Sequence, residues 1–215
     1  MEYLLNASGY TQPCIREYEI SASSDLKKGT VMCISDGAAA KATASGKILG
    51  VLDEDYNVSK DILNPRSGSG LAKINITPDG IFSFPVQTFT IATAGTATTL
   101  TLESSSAIPT SSAVLKGGYI KLISKGANST NTDSVGCIRK ITAQASYVLT
   151  VDNGGSACAG DVYAVFPPAN FAYITLTSDA LAFKFAASAG TAAKVVSSDT
   201  DKNTVDIIFS NHLYK

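Results

Sequence analysis

The sequence predicts an all-β protein, and three observations predict it. Charged residues make up only 16% of the 215-residue chain. Ala, Ser, Thr and Gly are abundant, and the Glu, Lys and Leu richness of long amphipathic helices is missing. Apolar runs are short and either β-branched or alternating, as in Thr30 to Ile34 and Leu71 to Ile76. Between them stand turn signals with a stereochemical cause, including Asp36-Gly37, Pro78-Asp79-Gly80 and Asp152-Asn153-Gly154-Gly155. A chain of this length buries a serviceable core either as one large β domain or as two small ones.

In chain order, residues 1–14 mix Tyr3, Leu4, Leu5 and Tyr10 with Asn, Ser, Gly and Gln in no regular period. They read as an extended arm, with a frayed terminus as the alternative. Ile15 to Ser21 reads as an edge strand whose charges discourage further pairing. The stretch from Asp25 to Tyr56 organises the rest: a buried strand over Thr30 to Ile34, a tight turn at Asp36-Gly37, small residues, and a second apolar run from Ile48 to Leu52. Gly50, inside that run, marks a bulge or a close backbone approach. Three acids, Asp53, Glu54 and Asp55, follow it. A breaker-rich loop over 57–70 precedes a half-buried strand over Leu71 to Ile76, then the Pro78-Asp79-Gly80 turn, then Ile81 to Phe84 ending at Pro85.

From Val86 charge thins and Thr and Ala dominate. Strands are expected over Thr88 to Ala92, Thr98 to Leu102, Tyr119 to Ser124, Val135 to Ala143, Tyr147 to Val151 and Asp161 to Phe166, a spacing that suits a small barrel or sandwich. Pro167-Pro168 ends this region. Phe171 to Thr177 reads as a strand. Leu181 to Ala186 alternates like one, although Ser178-Asp179 would also cap a short helix. Ala193 to Ser197 and Thr204 to Ser210 are the last two strands, flanking a polar loop. The division that follows is a β module of residues 15–85 and 168–215, with residues 86–167 as an inserted β domain.

The formal net charge of −1 supplies no basic field for a phosphate backbone, so nucleic acid is not an expected partner. The first residues carry an acid where a signal peptide needs basic ones, and no apolar run is long enough to span a bilayer. A soluble, cytosolically made protein without membrane partners is expected. Cys14, Cys33, Cys137 and Cys158 are too widely spaced for a zinc site and read as reduced, buried thiols. The single histidine, His212, reads as solvated, far from any serine or cysteine it could activate. Gly46-Lys47 lacks the rest of a phosphate loop. Asp199, Asp201 and Asn203 begin like a calcium loop, but Thr204 stands where the sharp turn requires Gly, and Ser210 replaces the last acid. No catalytic residue, cofactor or metal is expected. The Tyr residues at 3, 10 and 56 are candidates for partner contact, because Tyr joins a rigid apolar body to a polar tip. The acids 53–55 read as a charged turn or as a like-charged rim at an interface.

One resemblance adds to this. The order Leu26-Lys27-Lys28-Gly29-Thr30-Val31, then a small-residue Ala-Lys-Ala stretch, then Ile48-Leu49-Gly50-Val51-Leu52-Asp53-Glu54-Asp55, Leu71 to Ile76 and Gly80 to Phe84 resembles the head decoration proteins of tailed phages, the lambda-like type carrying an additional β domain. It covers roughly residues 25 to 85. The resemblance implies a non-enzymatic virion protein on the outer capsid surface. It would act as a homotrimer that contacts the major capsid protein, cements neighbouring capsomers and stabilises the shell by binding only its assembled form. The expected capsid-contact residues are Tyr3, Leu4, Leu5, Tyr10, Asp53, Glu54, Asp55 and Tyr56. Two alternatives stay open: another virion component such as a head fibre or tail tube, and a surface module whose inserted domain contacts glycans, although the Trp platform usual in such modules is absent.

Overall fold

The computed structural model describes residues 2–6, 12–43, 47–59, 70–86, 89–104, 108–111, 113–152, 157–186, 188–190 and 193–214. Among them every regular element is a strand, so the protein is all-β as its composition predicts. The first seven are β1 (Glu2–Asn6), β2 (Ile15–Glu19), β3 (Val31–Ser35), β4 (Ala38–Lys41), β5 (Ile48–Leu52), β6 (Leu71–Asn75) and β7 (Gly80–Pro85). Six more follow: β8 (Phe89–Gly95), β9 (Thr99–Leu102), β10 (Tyr119–Ser124), β11 (Ile138–Ala145), β12 (Val148–Val151) and β13 (Val162–Phe166). The last four are β14 (Ile174–Leu176), β15 (Phe183–Phe185), β16 (Ala193–Asp199) and β17 (Thr204–Phe209).

The organising stretch builds a five-stranded sheet in the order β2-β6-β5-β3-β4. Asp36 and Gly37 join β3 to β4 with φ of 50° and 86°, the pair of positive angles a primed hairpin turn requires. This hairpin makes a strand of Ala38–Lys41, which sequence did not predict because alanine has little intrinsic strand preference. The sheet curls until its edges meet: Ile20 bridges Ala39, and the Ser21 amide donates to the Ala39 carbonyl at 2.8 Å. Leu26, Met32, Leu49, Leu52 and Ile74 fill the curl.

Gly50 serves both expected purposes. The β3–β5 register skips a residue beside it, and a Cβ there would overlap the Asn75 carbonyl on β6. Strand β5 is buried at all five positions because it has apolar neighbours on both faces. Leu49 and Leu52 point into the curl, while Ile48 and Val51 belong to a second, larger core with Phe82, Phe84 and Phe209.

Those phenylalanines come from a four-stranded sheet in the order β1-β7-β17-β16. The C-terminal strands therefore complete a sheet begun by β7, with Pro85 opposite Thr204 and Ile81 opposite Ile208. The hairpin β14-β15 packs on this sheet, its Phe183 ring edge-on to Phe84 with centroids 5.1 Å apart. Thr177 to Leu181 forms a turn in place of a helix capped by Ser178-Asp179. The Asp179 carboxylate accepts from the Leu181 amide at 3.1 Å, and Ala180 takes φ 57°.

Residues Phe89 to Phe166 form a closed barrel of six strands, in the order β10-β11-β12-β9-β8-β13. Alternate positions such as Leu100, Leu102, Ile120, Leu122, Leu149 and Val151 fill its interior. Buried Gln144 holds the loop that closes over it, donating to the Pro109 carbonyl at 2.7 Å and accepting from the Leu115 amide at 3.0 Å. Val86, Ala164 and Phe166 pack together where the chain enters and leaves, with Val205 of β17 against them.

Three expectations need correction. The N-terminal segment is not a free arm throughout, because Glu2–Asn6 pair with β7; an extended segment beside an open edge gains main-chain hydrogen bonds at home. His212 is buried at 3% exposure, since the chain after β17 returns to bridge Ile48 and carries the ring inside; its Nδ1 accepts from the Tyr214 amide at 3.2 Å. The four thiols are free, but Cys33 alone is buried: Cys14 is exposed, and Cys137 and Cys158 are partly so, because they lie on loops or strand ends.

Candidate functional site

Strand β1 and the turn after β5 approach each other across the two sheets, and a cleft of about 160 Å³ lies between them, lined by Tyr3, Lys28, Leu52, Asp53, Asn75 and Phe82. Two of the residues expected to contact a partner, Tyr3 and Asp53, thus share one site. Tyr3 rests its ring edge-on against Phe82, with centroids 5.5 Å apart. Burial raises its phenol above the ordinary range, opposed by a hydrogen bond with Thr77. The same threonine accepts from the Cys14 amide at 2.9 Å and donates to Asn75 Oδ1 at 2.7 Å. Asn75, a polar residue of the half-buried β6, is itself buried, and Thr77 satisfies its side-chain carbonyl with both amide and hydroxyl.

The acidic turn is not a bare rim of like charge. Lys28 pairs with Asp53 at 3.5 Å and Lys27 with Asp55 at 4.0 Å. The Lys28 amide donates to Asp55 Oδ1 at 2.7 Å, and the Lys73 amide donates to Glu54 Oε1 at 2.9 Å. The Lys27 and Lys28 side chains stay largely in solvent, 67% and 58% exposed, and their charges offset those of the turn. Tyr56 is buried at 6% exposure, its amide and carbonyl paired with those of Leu26, so its ring closes the curl and presents nothing to a partner. Leu4 and Leu5 lie on β1, where the register shifts between Tyr3 and Leu5. Tyr10 lies outside the described residues.

A second polar cluster, which sequence reasoning passed over, sits at one end of the barrel. Asp161, fully buried, accepts from the Gly126 amide at 2.9 Å, the Cys158 amide at 3.1 Å and Asn131 Nδ2 at 2.9 Å. Burial works to raise its pKa, but these bonds and one from Ser129 prevail and hold the carboxyl below its usual range. Asn131 also donates to the Tyr163 hydroxyl at 3.0 Å, and the Tyr163 phenol is pushed up to about 12 by burial and by the charge of Asp161. Beside it, Arg139 makes a two-pronged ion pair with Asp133, Nε to Oδ2 at 2.8 Å. Most of these contacts tie loop 126–136 to β11, β13 and the turn before β13, which is a structural task. The only cue in the sequence was an acid directly before an apolar strand, facing a polar turn.

The cluster at Asp199, Asp201 and Asn203 is bonded within the chain. Asp199 Oδ1 accepts from the amides of Asp201 and Lys202 at 3.0 and 2.9 Å, and Lys121 of the barrel donates to Asn203 Oδ1 at 3.0 Å and the Thr200 carbonyl at 2.8 Å. The loop thereby fastens the barrel to the β16–β17 turn.

No protein-family model matches the chain, and no curated protein or solved structure matches it either.

Proposed function

We propose that this chain is a head decoration protein of a tailed phage, binding the outer surface of the assembled capsid through the major capsid protein and stabilising the shell. One observation carries the reading. The residues that bear the resemblance, 25 to 85, supply four of the five strands of one sheet, β3 to β6, and then β7 of the four-stranded sheet packed on it, with the N-terminal strand β1 along the outer side of β7. Strand β1 ends the order of its sheet, so its outer side offers main-chain groups to a further strand. A capsid-protein segment added there would lie next to the cleft of Tyr3 and Asp53. In this reading the copies assemble as trimers on the shell, which is where the protein resides after synthesis in the host cytoplasm. The barrel is an addition to the capsid-binding module, and no catalytic step is involved.

The test is sedimentation with empty shells assembled from the major capsid protein encoded alongside this chain. The full chain should pellet with shells and leave unassembled capsid protein alone, whereas a chain lacking residues 1–12 should stay in the supernatant. A full chain that never pellets with shells overturns the reading. Mass measurement of the bound material should give copies in threes.

A further inference from the structure

An open groove of about 410 Å³ runs between the end of β4 and the β14–β15 hairpin and shares no lining residue with the N-terminal cleft. Lys41 and Thr43 lie on one side, and Thr175, Ser178 and Lys184 on the other. Thr175 and Lys184 are cross-strand partners and so present side chains to the same face. Buried Leu176 supplies an apolar base. Among the described residues neither lysine is in an ion pair, and the hydroxyls of Thr43, Thr175 and Ser178 have no hydrogen-bond partner. Thr177, in contrast, is engaged: its hydroxyl donates to the Ala182 carbonyl at 3.0 Å and accepts from the Ala182 amide at 3.1 Å. The nearby Asp179 carboxylate is held inside its own turn by the Thr177 hydroxyl and the Leu181 amide, and the charge of Lys41 helps to keep it below the usual carboxylate range.

We propose that this groove binds an oligosaccharide carrying an acidic group, carboxylate or sulfate. Among the described residues Lys184 is in no ion pair and Lys41 faces only the charge of Asp179, so two ammonium groups stand against one carboxylate and the groove keeps a net positive charge that calls for an acidic ligand. Three free hydroxyls, each able to donate and accept, match a ligand rich in hydroxyls. An acidic peptide offers carboxylate acceptors for the lysines but few groups to complement those hydroxyls. A neutral sugar leaves both charges unused, and no aromatic ring lines the groove to stack on one. The volume falls in the range of about 300–1,000 Å³ usual for small-ligand sites. The site is independent of the capsid-binding surface proposed above.

Calorimetric titration of the full chain tests it with four probes: trigalacturonate, its fully methyl-esterified form, a sulfated trisaccharide, and a Glu-Glu-Glu peptide. Trigalacturonate or the sulfated trisaccharide should bind, and which one does identifies the acidic group. Binding should weaken at least about fivefold for Lys41→Ala and for Lys184→Ala, and weaken with added salt. Lys116→Ala, on the barrel, should bind as the parent does. No binding by either acidic sugar overturns the proposal. So does equal binding of the methyl ester, preference for the peptide, or indifference to both lysine substitutions in variants that melt like the parent.

Discussion

Tyr3 and Phe82 meet edge-to-face at 5.5 Å, so the N-terminal strand is held to the second sheet by an aromatic contact as well as by its backbone pairing with β7. Tyr3→Ala should lower stability by more than about 1 kcal/mol, because the burial of the ring is lost together with the edge-to-face pair, which alone is worth about that much. Tyr3→Phe keeps the ring, loses the bond to Thr77 and should lose less. Urea melts of the three proteins check this. Equal midpoints for Tyr3→Ala and the parent would show that β1 does not stay on β7.

Gly50→Ala should be among the most disruptive single-methyl changes in the chain. Its Cβ meets the Asn75 main chain, which no rotamer can move aside, so β5 and β6 must separate. A loss of about 3 kcal/mol is expected, at the upper end of overpacking costs. Gly37→Ala instead meets open space and strains only a positive φ of 86°, so its loss should be smaller, about 1 kcal/mol. Thermal melts that rank the two in the opposite order contradict the close approach.

Much of this was legible in the sequence, and the failures have physical causes. Alternation exposed β6, and the Asp-Gly pair exposed the β3–β4 turn, because both signals are local. That the C-terminal strands join the first module was expected from the composition shifts at Val86 and Pro167-Pro168, but the particular pairing of β7 with β17 joins residues more than a hundred positions apart and leaves no local trace. Tyr56 was expected at a partner contact because Tyr joins a rigid apolar body to a polar tip, a property that serves a core equally well; its burial depends on the chain folding back on Leu26. Lys27 and Lys28 became the partners of Asp53 and Asp55 for the same reason. Ala38–Lys41 had no strand signal at all, and the neighbouring hairpin imposes one.

Acid should loosen the barrel through Asp161. Its folded-state pKa lies below the ordinary carboxylate value, so its contribution is fully present above the unfolded value of about 4 and is lost as pH falls through the lower folded one. Urea stability should therefore fall on going from pH 5 to pH 2.5. Asp161→Asn should be weaker at pH 7, by about 2 kcal/mol, because an amide nitrogen then faces main-chain donors. It should also show less acid dependence than the parent. A parallel pH profile in the variant would remove Asp161 from this role.

The barrel should be removable. The chain leaves β7 at Pro85, whose neighbour Phe84 lies opposite Val205. It returns at Pro167, whose carbonyl accepts from Ser198, and Ser198 lies opposite Val205 on the other side. The two ends are thus separated by two strand spacings and one side-chain hydrogen bond, at most roughly 15 Å, within reach of a short Gly/Ser linker. Joining Phe84 to Ala169 through such a linker should give a folded protein, less stable because Val205 loses its cover from Val86 and Phe166. Residues 86–167 alone should melt cooperatively. An insoluble shortened chain together with a segment that shows no transition would mean that one core spans both parts.

The central claim concerns an assembled shell, and the most direct measurement is the temperature at which empty shells break open, followed by light scattering with and without saturating protein. A ligand that binds the assembled form alone must raise that temperature, and raise it further with concentration above the dissociation constant. The account predicts such a rise for the full chain and none for the chain lacking residues 1–12. Shells that open at the same temperature with and without the full chain, at concentrations where it pellets with them, would contradict it.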